Sequence, residues 1–182
     1  MEVINQVTKM VCKISRASRL KYFIVPMIVQ LILTLIIVVI LFFASENVDS
    51  VRFVKGWVSI LSYIMLLLYI PLIIFYYNYS KINKGATFII DSSQEIYEYQ
   101  KENERILFKR QDIDKIEVHV SIPSYHNRII WLFWQDFFYS SIQLKNGKNV
   151  IITCLMCDNL IDHFDEDMFV RKKSFISHCV PK

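Results

Sequence analysis

The sequence is poor in glycine and lacks several common catalytic motifs. Its 182 residues include only three glycines, Gly56, Gly85 and Gly147, and no two of them are close. The glycine-rich loops that cradle phosphates therefore cannot form, and neither a nucleophile elbow nor a helical His-Glu-x-x-His motif is present. The lone Cys-x-x-Cys pair, Cys154 and Cys157, supplies too few ligands for zinc. We expect a protein that is not an enzyme, with no cofactor and no bound metal.

Charge is missing from two long blocks, Tyr22–Ser45 and Gly56–Ser80. Each block is long enough to cross about 30 Å of hydrocarbon as a helix. A secretory signal does not fit the first block, because the apolar run is too long and no small-residue cleavage site follows it. The sequence therefore predicts a two-helix transmembrane hairpin over residues 22–80, with spans at 22–45 and 56–80.

Cations concentrate before the first block, at Lys9, Lys13, Arg16, Arg19 and Lys21, opposed only by Glu2. Because flanking cations stay on the cytoplasmic side, we expect both termini to be cytoplasmic. The apolar residues among positions 1–21 recur at helical spacing, which predicts a basic amphipathic helix lying in the membrane interface. The alternative is that this helix lines an assembly of several subunits.

After Gly85 the hydrophobic period changes from that of a helix to that of a strand. Alternating runs predict strands at residues 86–91, 95–100, 105–110, 115–121, 137–144 and 149–155. The Asn146-Gly147 pair predicts a tight hairpin, since both residues tolerate positive φ, and residues 158–164 suit a short helix. The predicted fold class is a membrane α+β protein whose residues 81–182 form a small cytoplasmic antiparallel β domain with a short helix.

Two groups of residues could contribute to an assembly of several copies. Gln30 and Thr34 lie four residues apart in the first apolar block and share a helix face, so they are candidate pore-lining or helix-contact positions. The short segment at residues 129–139 is rich in aromatic residues. Its members Trp131, Trp134, Phe137 and Phe138 could be core, or could form an oligomer interface.

Two polar groups near the C-terminal half are candidate sites. Arg171 and His178 have the Arg-x6-His spacing found in helical ribonucleases, but the preceding residues predict strands, and this favours a basic tail over catalysis. His126 and Arg128 follow Pro123 in a polar loop. Together with Arg171 they are candidates for binding a small anionic ligand.

The outline of the chain resembles the small transmembrane accessory proteins of type VI-B CRISPR–Cas systems. The resemblance rests on the size, the two N-terminal apolar blocks and the Arg171-x6-His178 motif. It implies a bacterial inner-membrane, multi-pass protein that forms a ring-like, pore-like homo-oligomer and depolarises the membrane in antiviral defence. It also implies a functional link to an RNA-guided ribonuclease. The soluble part, with FYSSIQLKNGKNVIITCL at residues 138–155, is similar to bacterial PH-like domains.

Three functions follow as expectations. The first is a non-enzymatic pore-like effector whose partners are the lipid bilayer and further copies of itself; direct nucleic-acid binding is not expected. The second is a membrane-tethered PH-like sensor of a small anionic ligand. The third is a ribonuclease in which Arg171 and His178 act as charge stabiliser and acid–base group.

Overall fold

The computed structural model describes residues 9–44, 50–130 and 132–174. The N-terminal part begins with strand β1, Lys9–Cys12, and continues into helix α1, Arg16–Arg19. A capping box between Ser15 and Ser18 starts this helix. The prediction of an N-terminal amphipathic helix is therefore wrong for residues 9–12. The cause is a tertiary contact, because Met10 pairs with Ile90 and Cys12 pairs with Phe88 on a neighbouring strand. This strand pairing overrides the helical spacing of the apolar residues.

A π-helical turn, Leu20–Ile24, joins α1 to helix α2, Val25–Ala44, and helix α3 covers Ser50–Ile82. Among the described residues, one helix, Arg16–Ile40, is long and apolar enough to cross a membrane, with a mean hydropathy of 3.0. The prediction of a two-helix transmembrane hairpin is wrong, and a multi-pass placement finds no support. The second half of α3 packs on protein instead, since Leu72, Phe75 and Tyr79 are at most 3% exposed.

In the part of the chain that the structure describes, eight strands form two four-stranded sheets. The remaining strands are β2, Ala86–Asp91; β3, Ile96–Lys101; β4, Glu104–Lys109; β5, Ile113–Ser121; β6, Tyr139–Leu144; β7, Asn149–Thr153; and β8, Phe169–Ser174. The first sheet has the order β1-β2-β3-β4 and the second has the order β7-β6-β5-β8. Because β8 runs parallel to β5, the prediction of a small, purely antiparallel domain is also wrong. The predicted domain boundaries after residues 21 and 80 stay a prediction.

Short helical segments connect the strands. Helix α4 covers Ile122–Tyr125, and 3-10 turns occur at Arg110–Asp112, Phe133–Asp136, Leu160–His163 and Glu166–Met168. The helix predicted at residues 158–164 is therefore the 3-10 turn Leu160–His163.

The buried residues form two clusters. The first lies between the sheets and includes Phe88, Ile116 and Ile142, which are completely buried. The second joins the helices to the second sheet, and in it Phe137 packs against Tyr79 with ring centroids 5.3 Å apart. The helical part and the β part are thus held together by an aromatic core. That core fixes where the end of α3 meets the sheets.

Candidate functional site: a cationic cleft beside the apolar helix

A cleft with a volume of about 920 Å³ opens where the end of α3 meets the N-terminal segment and the first sheet. Its walls come from four parts of the chain: the segment after β1, the start of the apolar helix, the end of α3, and the facing ends of β2 and β3. The lining residues are Lys13, Ile14, Arg19, Tyr76, Tyr77, Ser80, Lys81, Asn83, Lys84, Gly85, Ala86, Thr87, Lys101 and Glu102.

Asn83 fixes the wall that the end of α3 provides. Its side chain is completely buried and lies against the free edge of β7. The amide donates from Nδ2 to the carbonyl of Ile151 at 2.9 Å and accepts from the Thr153 N–H at 2.9 Å and from the Thr153 hydroxyl at 2.7 Å. Among the described strands, none lies beside β7 on that side, so this one side chain binds backbone groups of an exposed sheet edge.

The turn after α3 is fixed by two further features. The ammonium of Lys101 donates to the carbonyl of Ile82 at 2.9 Å, which caps the end of the helix. Gly85 has a φ of +70°, a left-handed conformation that glycine adopts without strain. The turn therefore directs the chain from α3 into β2 and holds Lys84 at the rim.

The opposite wall is the segment that connects β1 to the apolar helix. Lys13 and Ile14 follow β1 directly, and the capping box of Ser15 and Ser18 then begins the helical segment that contains Arg19. Because this helix continues to Ile40, the cleft lies beside the N-terminal end of the candidate membrane span.

The charge of the cleft is strongly positive. Five cationic side chains and one carboxylate, Glu102, line it. Within the described residues, Lys13, Arg19, Lys81 and Lys84 form no ion pair with a carboxylate. The C-terminal end of α3 carries the negative end of the helix dipole, which offsets part of this positive charge. This offset is reduced because Lys101 already donates to the carbonyl of Ile82, the last residue of the helix. The cleft is therefore suited to an anion.

The cleft also contains an unused hydrogen-bonding group. The hydroxyl oxygen of Ser80 is buried and has no hydrogen-bond partner among the described residues. A buried hydroxyl without a partner is costly, and a ligand oxygen in the cleft would satisfy it. Together with the four cations that form no ion pair, Ser80 provides both charged and neutral hydrogen-bond donors, from which phosphate oxygens accept.

The five cations predicted to lie at the membrane interface separate in space. Lys13 and Arg19 line the cleft, whereas Lys9 lies on β1 opposite Asp91. Arg16 is exposed on α1. Lys21 pairs with Asp158 at 2.7 Å.

The contacts of Gln30 and Thr34 are with other residues of the same chain. Gln30 is only 6% exposed, and its Nε2 has no hydrogen-bond partner among the described residues. The Thr34 hydroxyl donates to the Gln30 carbonyl at 2.8 Å. Both residues line a small apolar cleft of about 250 Å³ that Trp134 and Leu68 close. Their predicted role between copies stays untested.

The aromatic segment supplies core residues. Phe137 is 1% exposed, Phe138 packs partly buried beside it, and Trp134 stacks on Phe75 with ring centroids 6.0 Å apart. Trp131 lies outside the described residues. The prediction that these residues form an oligomer interface is not tested.

The candidate anion-binding residues of the C-terminal half lie away from the cleft. Arg171 belongs to β8 and pairs with Val118, while His126 and Arg128 follow α4. None of the three lines the cationic cleft. His178 lies outside the described residues. Arg171 is on a strand, whereas the ribonuclease motif requires a helix.

The sequence did not predict Lys81, Lys84, Lys101 or Ser80 as site residues. The available signal was the Lys81-x-x-Lys84-Gly85 sequence at the end of an apolar helix. Lys101 carries no such signal, because the pairing of β2 with β3 brings it to Ala86. Among the described residues, no group of three His, Cys, Asp or Glu side chains could hold a metal ion.

Comparison with known proteins identifies the family. A family model described as a PH domain matches residues 11–161. Searches of curated proteins and of solved structures found no significant match. The resemblance to the type VI-B accessory proteins finds no support in these comparisons, whereas the similarity of the β-rich part to PH-like domains is confirmed. Because the matched region covers most of the chain, this protein belongs to a family of PH-domain proteins.

Proposed function

We propose that this protein is a membrane-attached binding protein without catalytic activity, and that its cationic cleft binds the headgroup of an anionic phospholipid. The apolar helix Arg16–Ile40 provides the attachment. The single observation that carries the proposal is the cleft at the end of that helix, with five cations facing one carboxylate.

The position of the cleft supports a lipid ligand. Arg19 lies on the same continuous helix as the candidate span, a few residues before the apolar segment begins. A helix inserted in a bilayer would therefore hold Arg19 near the phosphates. Each cation close to an anionic surface contributes about 1 kcal/mol.

The size and chemistry of the cleft support a small ligand rather than a macromolecule. A volume of about 920 Å³ falls within the range of sites for small molecules, roughly 300–1,000 Å³. Tyr76 and Tyr77 line the same cleft and suit the polar–apolar boundary, where aromatic side chains with a polar group are enriched. The hydroxyl of Ser80 provides a neutral donor beside the cations.

Membrane attachment has a direct test. We expect the full chain to remain in the membrane pellet after alkaline carbonate extraction, because a helix buried in hydrocarbon is not released by loss of surface charge contacts. Release into the supernatant would contradict attachment by the helix and leave only peripheral binding.

Headgroup binding is tested with the full chain in detergent, titrated with short-chain phosphatidylglycerol and with short-chain phosphatidylcholine as the neutral comparison. We expect the double variant Lys13→Gln/Lys84→Gln to bind the anionic lipid about 10- to 30-fold more weakly, from about 1 kcal/mol per cation. The control is Lys9→Gln, which removes a nearby charge that does not line the cleft.

Three results would contradict the proposal. The first is an equal loss of affinity in Lys9→Gln, which would indicate a general charge effect. The second is an unchanged affinity in the double variant. The third is equally tight binding of inorganic phosphate, which would assign the cleft to a soluble anion. Binding should also weaken as ionic strength rises, because salt screens exposed cations.

The expected pore-like, antiviral role and its link to an RNA-guided ribonuclease stay predictions without a supporting observation. The same holds for the ribonuclease alternative. The cationic cleft favours the second of the three expectations, a membrane-tethered PH-like protein that binds an anion, with a different set of residues from those that the sequence indicated.

A further inference from the structure

Two cysteines that are 145 residues apart in the chain lie side by side. The sulfur of Cys12 is 2.7 Å from the sulfur of Cys157, so the two sulfur atoms are in direct contact. The two residues are 3% and 5% exposed, and both are free thiols. This pair plays no part in the cationic cleft or in membrane attachment.

The fold brings the two thiols together from different elements. Cys12 is the last residue of β1 and pairs with Phe88, which directs its side chain into the core between the sheets. Cys157 follows β7 in a turn that is closed by its N–H, which donates to the Thr153 carbonyl at 3.0 Å. Its sulfur also lies 3.6 Å from Oδ1 of Asn159.

The contact makes the two thiols chemically different. The hydrogen bond to Cys157 lowers the pKa of Cys12, and the same contact raises the pKa of Cys157. Cys12 is therefore the thiol that ionises first, and a thiolate is the reactive form of cysteine. Cys157 is the adjacent thiol that can resolve an oxidised Cys12.

We propose that Cys12 and Cys157 form a redox modification site at which a peroxide converts the two thiols into a disulfide. The Cys12 thiolate attacks a peroxide oxygen, the O–O bond breaks, and the released hydroxide takes up a proton to give water. Cys157 then attacks the sulfenic sulfur of Cys12, the S–O bond breaks, and a second water leaves with the proton of Cys157. Two thiols and one hydrogen peroxide thus yield one disulfide and two waters, and a dithiol reductant reverses the reaction.

The position of β1 explains how an oxidant reaches Cys12 and what the disulfide changes in the fold. β1 is a four-residue strand that pairs with β2 at the end of its sheet, and short edge strands open locally at low cost. Opening exposes Cys12 to a small oxidant. Once formed, the disulfide fixes β1 to the turn after β7 and prevents the strand from separating again.

The test uses the full chain in detergent, reduced and then treated with hydrogen peroxide. Peroxide treatment should lower the intact mass by two hydrogen atoms. After the remaining thiols are alkylated, peptide mapping should find Cys12 linked to Cys157. The melting temperature should rise by about 5 °C or more, because the link closes a long loop of the unfolded chain. Dithiothreitol should reverse both changes.

Two variants make the test specific. Cys154 is buried in the other core cluster, so Cys154→Ala should form the link as the wild type does. Cys157→Ser leaves no resolving thiol, so Cys12 should accumulate further oxidised products without a rise in melting temperature. Links that involve Cys154 or Cys179, or a Cys12 and Cys157 that stay open to alkylation after peroxide treatment, would overturn the proposal.

Discussion

The hydrogen bonds of Asn83 predict a large loss of stability on substitution. Asn83 joins the end of α3 to the free edge of β7 through the Ile151 carbonyl and both hydrogen-bonding groups of Thr153, at 2.7–2.9 Å. Asn83→Ala removes all three hydrogen bonds at a site that is completely buried. A net value of about 1 kcal/mol for each hydrogen bond gives a loss of about 3 kcal/mol in the free energy of unfolding.

A graded series checks this magnitude. Thr153→Val keeps the backbone hydrogen bond and the shape of the side chain but removes the hydroxyl, so we expect a loss of about 1 kcal/mol. Asn149→Ala is the matched control, because Asn149 is exposed and accepts one hydrogen bond, from the hydroxyl of Ser141. Its loss should stay below about 1 kcal/mol.

Urea unfolding of the full chain in detergent, followed by tryptophan fluorescence, measures these changes. Hydrogen exchange of the β7 amides provides a local measurement, and Asn83→Ala should accelerate exchange there before the rest of the second sheet is affected. The reasoning is refuted if Asn83→Ala costs less than about 1 kcal/mol, or if it costs no more than Asn149→Ala.

Two further predictions concern other parts of the fold. Phe137→Ala should lower the free energy of unfolding by about 3–5 kcal/mol, because the ring is 1% exposed and packs on Tyr79. The control variant Phe133→Ala, at a residue that is 37% exposed, should lower it far less. Equal losses in the two variants would contradict this prediction. Lys172 lies 2.7 Å and Lys115 lies 3.0 Å from the carboxylate of Glu117, and together they lower the pKa of that carboxyl to about 2. The stability that this ionised carboxylate contributes is therefore present above the ordinary glutamate pKa and is lost as the pH falls toward 2. Glu117→Gln should weaken the dependence of the urea midpoint on pH in that range. Identical pH dependences would contradict it.

Local patterns predicted the antiparallel strands well. The run at residues 86–91 coincides with β2, and residues 96–100 and 105–109 belong to β3 and β4. The Asn146-Gly147 turn is confirmed, since Gly147 has a φ of +82° and its N–H donates to the Leu144 carbonyl at 2.9 Å. These elements depend on neighbouring residues, so their signals lie in short stretches of sequence.

The elements that the sequence did not predict depend on distant partners. β8 contains Arg171, Lys172 and Lys173 in succession, a composition typical of a solvated tail, and it becomes a strand through parallel pairing with β5. The carboxylate of Glu117 on β5, which is 7% exposed, compensates the charge of Lys172. Strand β1 is another example, because only its pairing with β2 distinguishes it from a helical segment.

The cationic cleft was hidden for a related reason. Lys13 and Arg19 precede the apolar helix in sequence, whereas Lys81, Lys84 and Lys101 follow α3 or lie on β3. In the sequence, Lys9 and Lys13 both count as cations that precede the first apolar block, so the two residues carry equal weight.

The structure gives those two lysines different environments. Lys9 faces Asp91 across β1 and β2, where the pKa of that carboxyl is lowered mainly by the hydrogen bond from the Ser93 hydroxyl and, to a smaller extent, by the charge of Lys9. Lys13 lies in the cleft without a carboxylate partner among the described residues. If the lysines served only to orient the helix in the membrane, exchanging either one for glutamine should have the same effect on lipid binding. A loss that is confined to Lys13→Gln requires a site with a defined shape.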